Sequence, residues 1–336
     1  MTVTGTDRRA LDADQQRVLG ALLAMQRQSW EQGVASHALL DLGQDALVEV
    51  MARDSVTHQT PSGKLADLND SGTVNCGSAG EALLWAIGRS PEERLQQGYD
   101  LLLRWLLQDC PRADDGTLFH IEGTRECWVD SVYMVVPCLV SADRLEEAER
   151  QFDGHLRRLF DPGAGLYGWR WDEDVARMTH PEHWGTGNGW VVAGIARTIR
   201  LLGGRSADFA SRAAEHARAV IDACLPYRRD EDGLFHNVID DAATFTEANL
   251  AQMLAYAILT GVEDGWLSPD YEPVGRSLVA SAREQVDDHG FVTHVCGAPH
   301  FDHQGTSVEA QSFFLLATAA EQRLEPLSEQ REDSLR

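Results

Sequence analysis

Two kinds of helix alternate along this chain, and the alternation leaves few folds open to it. One kind is small and apolar on every side, as in Gly33-Val-Ala-Ser-His-Ala-Leu-Leu40, Ser78-Ala-Gly-Glu-Ala-Leu-Leu-Trp85, Val191-Val-Ala-Gly-Ile-Ala196 and Phe313-Phe-Leu-Leu-Ala-Thr-Ala-Ala320. The other is amphipathic and charged, as over 91–108, 142–160 and 206–224. A helix that is apolar all round is buried, and one with a charged stripe turns that stripe to solvent. Apolar residues recur at three- and four-residue spacing, as in Leu101, Leu102, Trp105 and Leu106. This spacing predicts helices over 11–27, 29–42, 45–58, 77–88, 92–109, 128–141, 144–160, 187–202, 206–224, 244–260, 265–286 and 305–322, with Gly or Pro in most of the gaps. Six buried helices alternating with six half-exposed ones describe an all-α (α/α)6 barrel, a toroid of helical hairpins. No long β-rich stretch or interdomain linker interrupts it. The expectation is one domain over 1–336, with disordered ends near 1–9 and 324–336.

A weak repeat of about 50 residues supports the ring. Asp115-Gly-Thr-Leu-Phe-His120, Gly165-Leu-Tyr-Gly-Trp169, Asp232-Gly-Leu-Phe-His236 and His289-Gly-Phe-Val-Thr-His294 each follow a charged helix and precede an apolar one.

Charge and cysteine usage remove several classes of partner. The formal charge is −24, from 29 Lys+Arg against 53 Asp+Glu, so there is no basic footprint for nucleic acid or for an anionic membrane surface. A local cluster of donors can still hold a small anion against that field. No run approaches the roughly 18 apolar residues of a membrane span. The N-terminal segment lacks the apolar core of a signal peptide. Six cysteines, with no CxxC pair, read as reduced thiols of a cytoplasmic protein and not as a zinc site. Gly203-Gly204 is not followed by a GK[ST] and is no phosphate loop.

In a toroid of this kind the inner helices run in the same direction, so their amino ends and positive dipole ends gather at one rim. The residues expected there include Trp30, Glu31, Asn75, Trp128, Asp130, Asn188, Trp190, 244–247, Thr306 and Ser307. Asp130 lies between Trp128 and Tyr133 at the head of an apolar helix. Apolar company disfavours the charged form of a carboxyl and raises its pKa, which suits a general acid; a plain helix-dipole partner is the other reading. Glu31 is a second carboxylate or a dipole partner. Trp30, Trp128, Trp184 and Trp190 stack on sugar rings or pack the core. In the late histidine cluster His294, His300 and His303, the spacing matches no strong metal motif, and His303 reads as a rim hydrogen-bonding residue.

These segments bring a family into view. Trp128-Val-Asp-Ser-Val-Tyr-Met-Val-Val-Pro137 resembles the "WVDxxYMxxPF" segment of the unsaturated glycuronyl hydrolases, glycoside hydrolase families 88 and 105. His183-Trp-Gly-Thr-Gly-Asn-Gly-Trp190 resembles their "FWARGNGW", and Gly165-Leu-Tyr-Gly-Trp-Arg-Trp-Asp-Glu173 their "GLYYHAWDE". Gly305-Thr-Ser-Val-Glu-Ala-Gln-Ser-Phe-Phe-Leu-Leu-Ala317 is similar to the last inner helix, and the order fits across roughly residues 25–322. The resemblance implies a six-hairpin glycosidase toroid and a reaction that begins at a C4=C5 double bond of a terminal uronic acid. An aspartic acid protonates that enol ether, water adds at C5, and the hemiketal opens to release the remaining sugar, with no metal or organic cofactor. By position, Asp130 is the implied acid/base, and Asn75 stands where the family has a second aspartate. Thr186 replaces the arginine of "ARGNGW", and Trp169 the histidine of "YYHAWDE". Arg170, Arg125 or His183 is then left to supply positive charge. The implied substrate-binding set is Trp30, Glu31, Trp128, Tyr133, Trp169, Arg170, His183, Trp184, Thr186, Asn188, Trp190 and His303. The partner expected is an anionic oligosaccharide, and a homodimer through the outer face stays open. Two other readings stand beside this one. One is a conventional glycosidase pairing Asp130 with Glu31 or Glu247 across about 5–9.5 Å. The other is a relative that binds sugar without turnover.

Overall fold

The computed structural model describes residues 10–67, 70–297 and 301–325. Apart from Leu324 and Glu325, the ends expected to be disordered lie outside the described residues; Leu324 closes the last helix. Twelve α-helices are found among the described residues: α1 (Ala13–Met25), α2 (Ser29–Asp41), α3 (Asp45–Thr57), α4 (Gly80–Arg89), α5 (Glu93–Arg104), α6 (Ser131–Ser141), α7 (Leu145–Leu159), α8 (Gly185–Leu202), α9 (Ala207–Cys224), α10 (Asn249–Glu263), α11 (Glu272–Arg283) and α12 (Val308–Leu324). A 3-10 turn, Asn75–Ala79, leads into α4.

The even-numbered helices form the inner ring. Each packs on the next around a closed circuit, α12 returning to α2, with the 3-10 turn completing the α4 position. The odd-numbered helices back them from outside. Burial follows composition. Ten of the eleven α6 residues are buried, Ser131 to Val140, whereas α7 buries only a stripe that includes Ala148, Gln151, Phe152 and His155. The inner helices approach closely because small residues sit at the contacts. A Cβ on Gly194 of α8 would lie 2.9 Å from the Tyr133 Cα of α6, closer than side-chain atoms come to a backbone.

Short strands fill the rim: β1 (Glu126–Trp128), β2 (Phe160–Asp161), β3 (Leu166–Tyr167), β4 (Arg170–Asp172), β5 (Arg177–His180), β6 (Phe235–His236), β7 (Thr246–Glu247), β8 (Val295–Cys296) and β9 (Gln304–Gly305). The largest sheet is antiparallel, in the order β1-β4-β5, with Trp128 opposite Arg170. These strands correct several expected helix starts. Trp128 belongs to β1, and Thr246 and Glu247 pair with Phe235 and His236 as strand, so α10 begins only at Asn249. Likewise α12 begins at Val308, after β9.

The repeat is real in three dimensions. After α5, α7, α9 and α11 the chain makes a tight turn on a glycine with positive φ: Gly116 (90°), Gly165 (72°), Gly233 (71°) and Gly290 (87°). An aspartate side chain caps each turn by accepting from nearby backbone amides: Asp115 from Thr117, Asp161 from Gly163, Asp232 from Leu234, and Asp287 from His289 and Phe291. Left-handed backbone with an Asx cap explains why Asp and Gly recur at this place. Each turn feeds the strand or loop that approaches the rim.

Candidate active site

A cavity of about 660 Å³ opens at the rim where the inner helices begin. Its walls draw on the whole ring. Trp30 comes from the start of α2, Asn75 from the turn before α4, and Asp130 from the head of α6. Trp184 and Trp190 come from the start of α8, Asn237 and Val238 from the loop before α10, and Glu309 from the first turn of α12. Trp128, Trp169, Arg170 and His180 arrive from the β1-β4-β5 sheet region. A larger open hollow of about 880 Å³, between the 225–233 loop and α11 on the outer face, shares no residue with this cavity and is walled mainly by charged surface.

Asp130 occupies the N-cap position of α6, yet its side chain makes no capping hydrogen bond. An N-cap aspartate ordinarily accepts from the first helical amides. Here the carboxylate turns toward the cavity, its side chain 18% exposed, with Oδ2 3.6 Å from His120 Nε2. His120 is fixed from two sides. Its Nδ1 lies 2.8 Å from Ser131 Oγ, and its ring stacks on Trp128 at 4.7 Å, with 3° between planes. Burial pushes the Asp130 carboxyl above the ordinary aspartate value and the negative Asp70 adds to this, while His120 and the amides of Asp130 and Ser131 oppose it. The result is a carboxyl that holds its proton more tightly than a surface aspartate and faces a hollow of ligand size.

Asn75, expected in place of a carboxylate, has one beside it. Its Nδ2 donates to Asp70 Oδ2 at 3.0 Å, and Asp70 Oδ1 accepts from the Gly72 amide at 2.7 Å. The Ser29 hydroxyl also donates to Asp70. Asn75 Oδ1 is buried without a hydrogen-bond partner among the described residues. The wall therefore carries a second acid, supplied five residues earlier in the sequence than the resemblance implies.

Aromatic rings form the other wall. Trp128 and Trp169 meet edge to face at 5.7 Å, Trp169 lies 6.2 Å from Trp184, and Trp184 6.2 Å from Phe301. The Arg170 guanidinium sits 4.4 Å from the centroids of both Trp128 and Trp169. Its Nη1 approaches Glu126 at 3.7 Å, and its Nε is buried with no hydrogen-bond partner among the described residues. Trp128 Nε1 donates to the other Glu126 oxygen at 2.9 Å, so Glu126 steadies both Trp128 and Arg170.

The structure thus brings Asp130, Asn75, Trp30, Trp128, Trp169, Arg170, Trp184 and Trp190 to one cavity. Six expected residues do not line it. Tyr133 is fully buried, bonded through its hydroxyl to His37 Nδ1 at 2.9 Å, and packs beneath Trp190. Asn188 spends its amide on Tyr167 and on the Trp184 carbonyl. Thr186 is buried against Glu247 and Asn249. His183 pairs with Asp240 at 2.7 Å and Asp161 at 3.5 Å. His303 is exposed beside Asp302, and His300 lies outside the described residues. Glu31 accepts the amides of Arg27 and Gln28 ahead of its own helix, and Glu247 those of Asn249 and Leu250. Burial pushes both up to about 7. Glu31 and Glu247 thus accept backbone amides at helix starts, and neither lines the cavity that Asp130 faces.

Residues missed in the sequence are Asp70, His120, His180, Glu182, Phe301 and Glu309. A usable signal existed for His120, which ends the first copy of the repeat, and for Glu309, two residues after the expected rim residue Ser307. Asp70 carried none.

Residues 5–320 match the model of Glycosyl Hydrolase Family 88. The unsaturated rhamnogalacturonyl hydrolase YesR of Bacillus subtilis is 26% identical over 66% of this chain and 66% of its own length, just under two thirds of each. Among solved structures, a possible member of the GH105 family from Salmonella enterica superposes with a TM-score of 0.81 at 18% identity, covering 96% of this chain and 97% of that one. A glycoside hydrolase of family 105 from C. acetobutylicum gives 0.80 at 16% identity, over 92% and 99%. An unsaturated glucuronyl hydrolase specific for heparin gives 0.68 at 12%, over 93% and 96%. These structural likenesses establish the fold, a six-hairpin (α/α)6 toroid. With its family match running through nearly the whole ring, this chain belongs to Glycosyl Hydrolase Family 88 and is a glycoside hydrolase.

Proposed function

We propose that the protein hydrolyses oligosaccharides ending in an unsaturated uronic acid, and that it does so by hydrating the C4=C5 bond. Asp130 carries the reading. It is a carboxyl of raised pKa, turned into a hollow of sugar size, beside a histidine and without a side-chain capping bond to its helix. Protonated Asp130 gives its proton to C4 of the enol ether. The positive charge that develops at C5 and the ring oxygen is met by water, whose proton returns to the Asp130 carboxylate. The C5 hemiketal then opens, breaking the bond from C5 to the ring oxygen, and the former anomeric centre expels the remaining sugar. Asp70 and Asn75 orient the water or the neighbouring hydroxyls, Asn75 through a buried oxygen with no hydrogen-bond partner among the described residues. The relatives named for unsaturated rhamnogalacturonyl and glucuronyl substrates support the same class.

Arg170 is the residue for the substrate carboxylate. It lines the cavity, its guanidinium plane is fixed between two indoles, and its Nε has no partner among the described residues. An arginine so held presents its donor fork with little further loss of freedom. Thr186, which stands where the family has an arginine, is spent on Glu247.

Running the reaction in heavy water tests the proposal. Hydration installs one deuterium at C4 of the released uronic acid and removes the double bond. Ordinary glycosidic cleavage first releases the uronic acid with its double bond intact and C4 unlabelled, and loses the double bond only in a later uncatalysed tautomerisation; accumulation of that unsaturated, unlabelled monosaccharide at early times refutes the proposal.

A further inference from the structure

The hollow around Asp130 holds another carboxyl that the hydration step does not use. Glu309, on the first turn of α12, lines the cavity and is 4% exposed. Trp30 Nε1 donates to its Oε1 at 2.7 Å. Its Oε2 is buried and has no hydrogen-bond partner among the described residues. One oxygen is thus fixed as an acceptor, while the other is left over at the wall of a ligand-sized hollow. The charged and titratable groups that face Glu309 are mostly acids or neutral: Glu31 from α2, Asp130 from α6 and Cys296 from β8. Asp70 adds a further acid to the same wall. Arg27, the cation near Glu31, is a surface residue whose guanidinium is spent on the carbonyls of Ala24 and Gln26. A site that accepts an anionic sugar cannot keep several desolvated negative charges side by side. The least solvated of them is the one to remain neutral.

We propose that Glu309 is a further substrate-binding residue that presents a carboxylic acid to the bound sugar, with Oε2 carrying the proton and donating it to an oxygen of the terminal uronic acid. The Trp30 bond selects which oxygen is protonated, because an indole N–H donates only. Burial raises the Glu309 carboxyl above the ordinary glutamate value, against hydrogen bonding from its own amide, Trp30 and Ser307, and the nearby Asp130 charge adds to the rise, in agreement with that state. A neutral donor recognises hydroxyl, ring or carboxylate oxygens without adding repulsion against the uronate. It also ties affinity to pH. Once Glu309 ionises, the donor is lost and a charge opposed to the substrate appears in its place.

The inference rests on the unsaturated-uronate reading, and the test separates the two. Wild type, Glu309→Gln and Glu309→Ala are compared on lyase-generated unsaturated disaccharides from pH 5 to 9, with kcat and KM resolved and tryptophan quenching by the same disaccharides read alongside. Wild-type KM is expected to climb at least tenfold toward alkaline pH. Glu309→Gln, which keeps an N–H donor, is expected to raise KM about threefold at pH 6 and to abolish the alkaline climb. Glu309→Ala is expected to raise KM tenfold or more at pH 6. All three should keep kcat within about threefold, because the proton that reacts belongs to Asp130. Melting curves guard against misfolding: removal of a neutral buried acid by Gln should make stability less dependent on pH. The inference is overturned if Glu309→Gln is as impaired as Glu309→Ala while melting like wild type, or if either variant keeps the wild-type KM profile. Absence of both turnover and quenching in the wild type overturns the substrate reading itself, and the inference with it.

Discussion

At the scale of single residues, the site works by withholding ordinary partners. Asp130 makes no side-chain capping bond to its own helix, and among the described residues Asn75 Oδ1 and Arg170 Nε are buried without hydrogen-bond partners. Each is a group that folding alone would have paired. Several expected residues off the cavity lack such unspent groups. Glu31, Tyr133, Thr186, Asn188 and Glu247 have the residue types and sequence positions of a site, but their polar atoms are consumed by backbone amides, carbonyls or each other. Sequence pattern conveys which helix begins where. It does not convey which side chain is already engaged, because the partners come from other helices of the ring. Arg170 gives a prediction at this scale. Arg170→Gln should raise KM for an unsaturated uronyl disaccharide roughly ten- to a hundredfold, the worth of a charge-assisted hydrogen bond. Methyl esterification of the substrate carboxyl should weaken binding to wild type by a similar factor and leave the variant nearly indifferent. Equal sensitivity of both proteins to the ester would remove Arg170 from that role.

Among elements, all twelve helices were readable because a three-to-four-residue apolar period survives in each, and the buried or exposed class of each followed from charge. The boundaries at the rim were not. Trp128 and 244–247 sit in apolar surroundings that a periodicity continues through, but strand pairing with Arg170 and with Phe235–His236 wins locally. Two-residue strands have too few positions to show a period of two. The Asp-Gly turns were visible as a repeat because their backbone needs φ > 0, and the histidine ending the first copy proved to hold Asp130. Close packing of α6 against α8 yields a second prediction. Gly194→Val places a branched side chain where even a Cβ would meet Tyr133 backbone at 2.9 Å. It should cost about 1–3 kcal/mol in chemical denaturation and also lower turnover, since α6 carries Asp130. A Gly194→Val protein of unchanged stability would show that the two helices separate easily.

For the whole molecule, the ring is tied at the end of the inner helices opposite Asp130. Buried Arg197 of α8 binds Glu81 of α4 at 2.6 Å and Asp41 of α2 at 3.1 Å, and Arg323 of α12 reaches Asp41 at 3.3 Å and Glu263 of α10 at 2.7 Å. His37, between Tyr133 and Glu81, links that cluster to α6. At the rim, by contrast, buried acids make stability depend on pH. Glu31 and Glu247 ionise near 7 when folded, against 4.5 ordinarily. The folded state therefore binds more protons than the unfolded state between those values. Stability is full below about 4.5 and falls as pH rises toward 7, by up to about 3 kcal/mol per group. Urea unfolding at pH 5 and pH 8 should show this fall, and Glu247→Gln, which can still accept the Asn249 amide, should shrink it. A fall of the same size in the variant would contradict the assignment. The central claim is tested most directly by the ultraviolet absorbance of the C4=C5 bond in lyase-generated disaccharides, followed with wild type and with Asp130→Asn. The account predicts that wild type bleaches the absorbance and that Asp130→Asn, folded and still able to bind sugar, does so at least about a hundredfold more slowly. Bleaching at the wild-type rate by Asp130→Asn would contradict it.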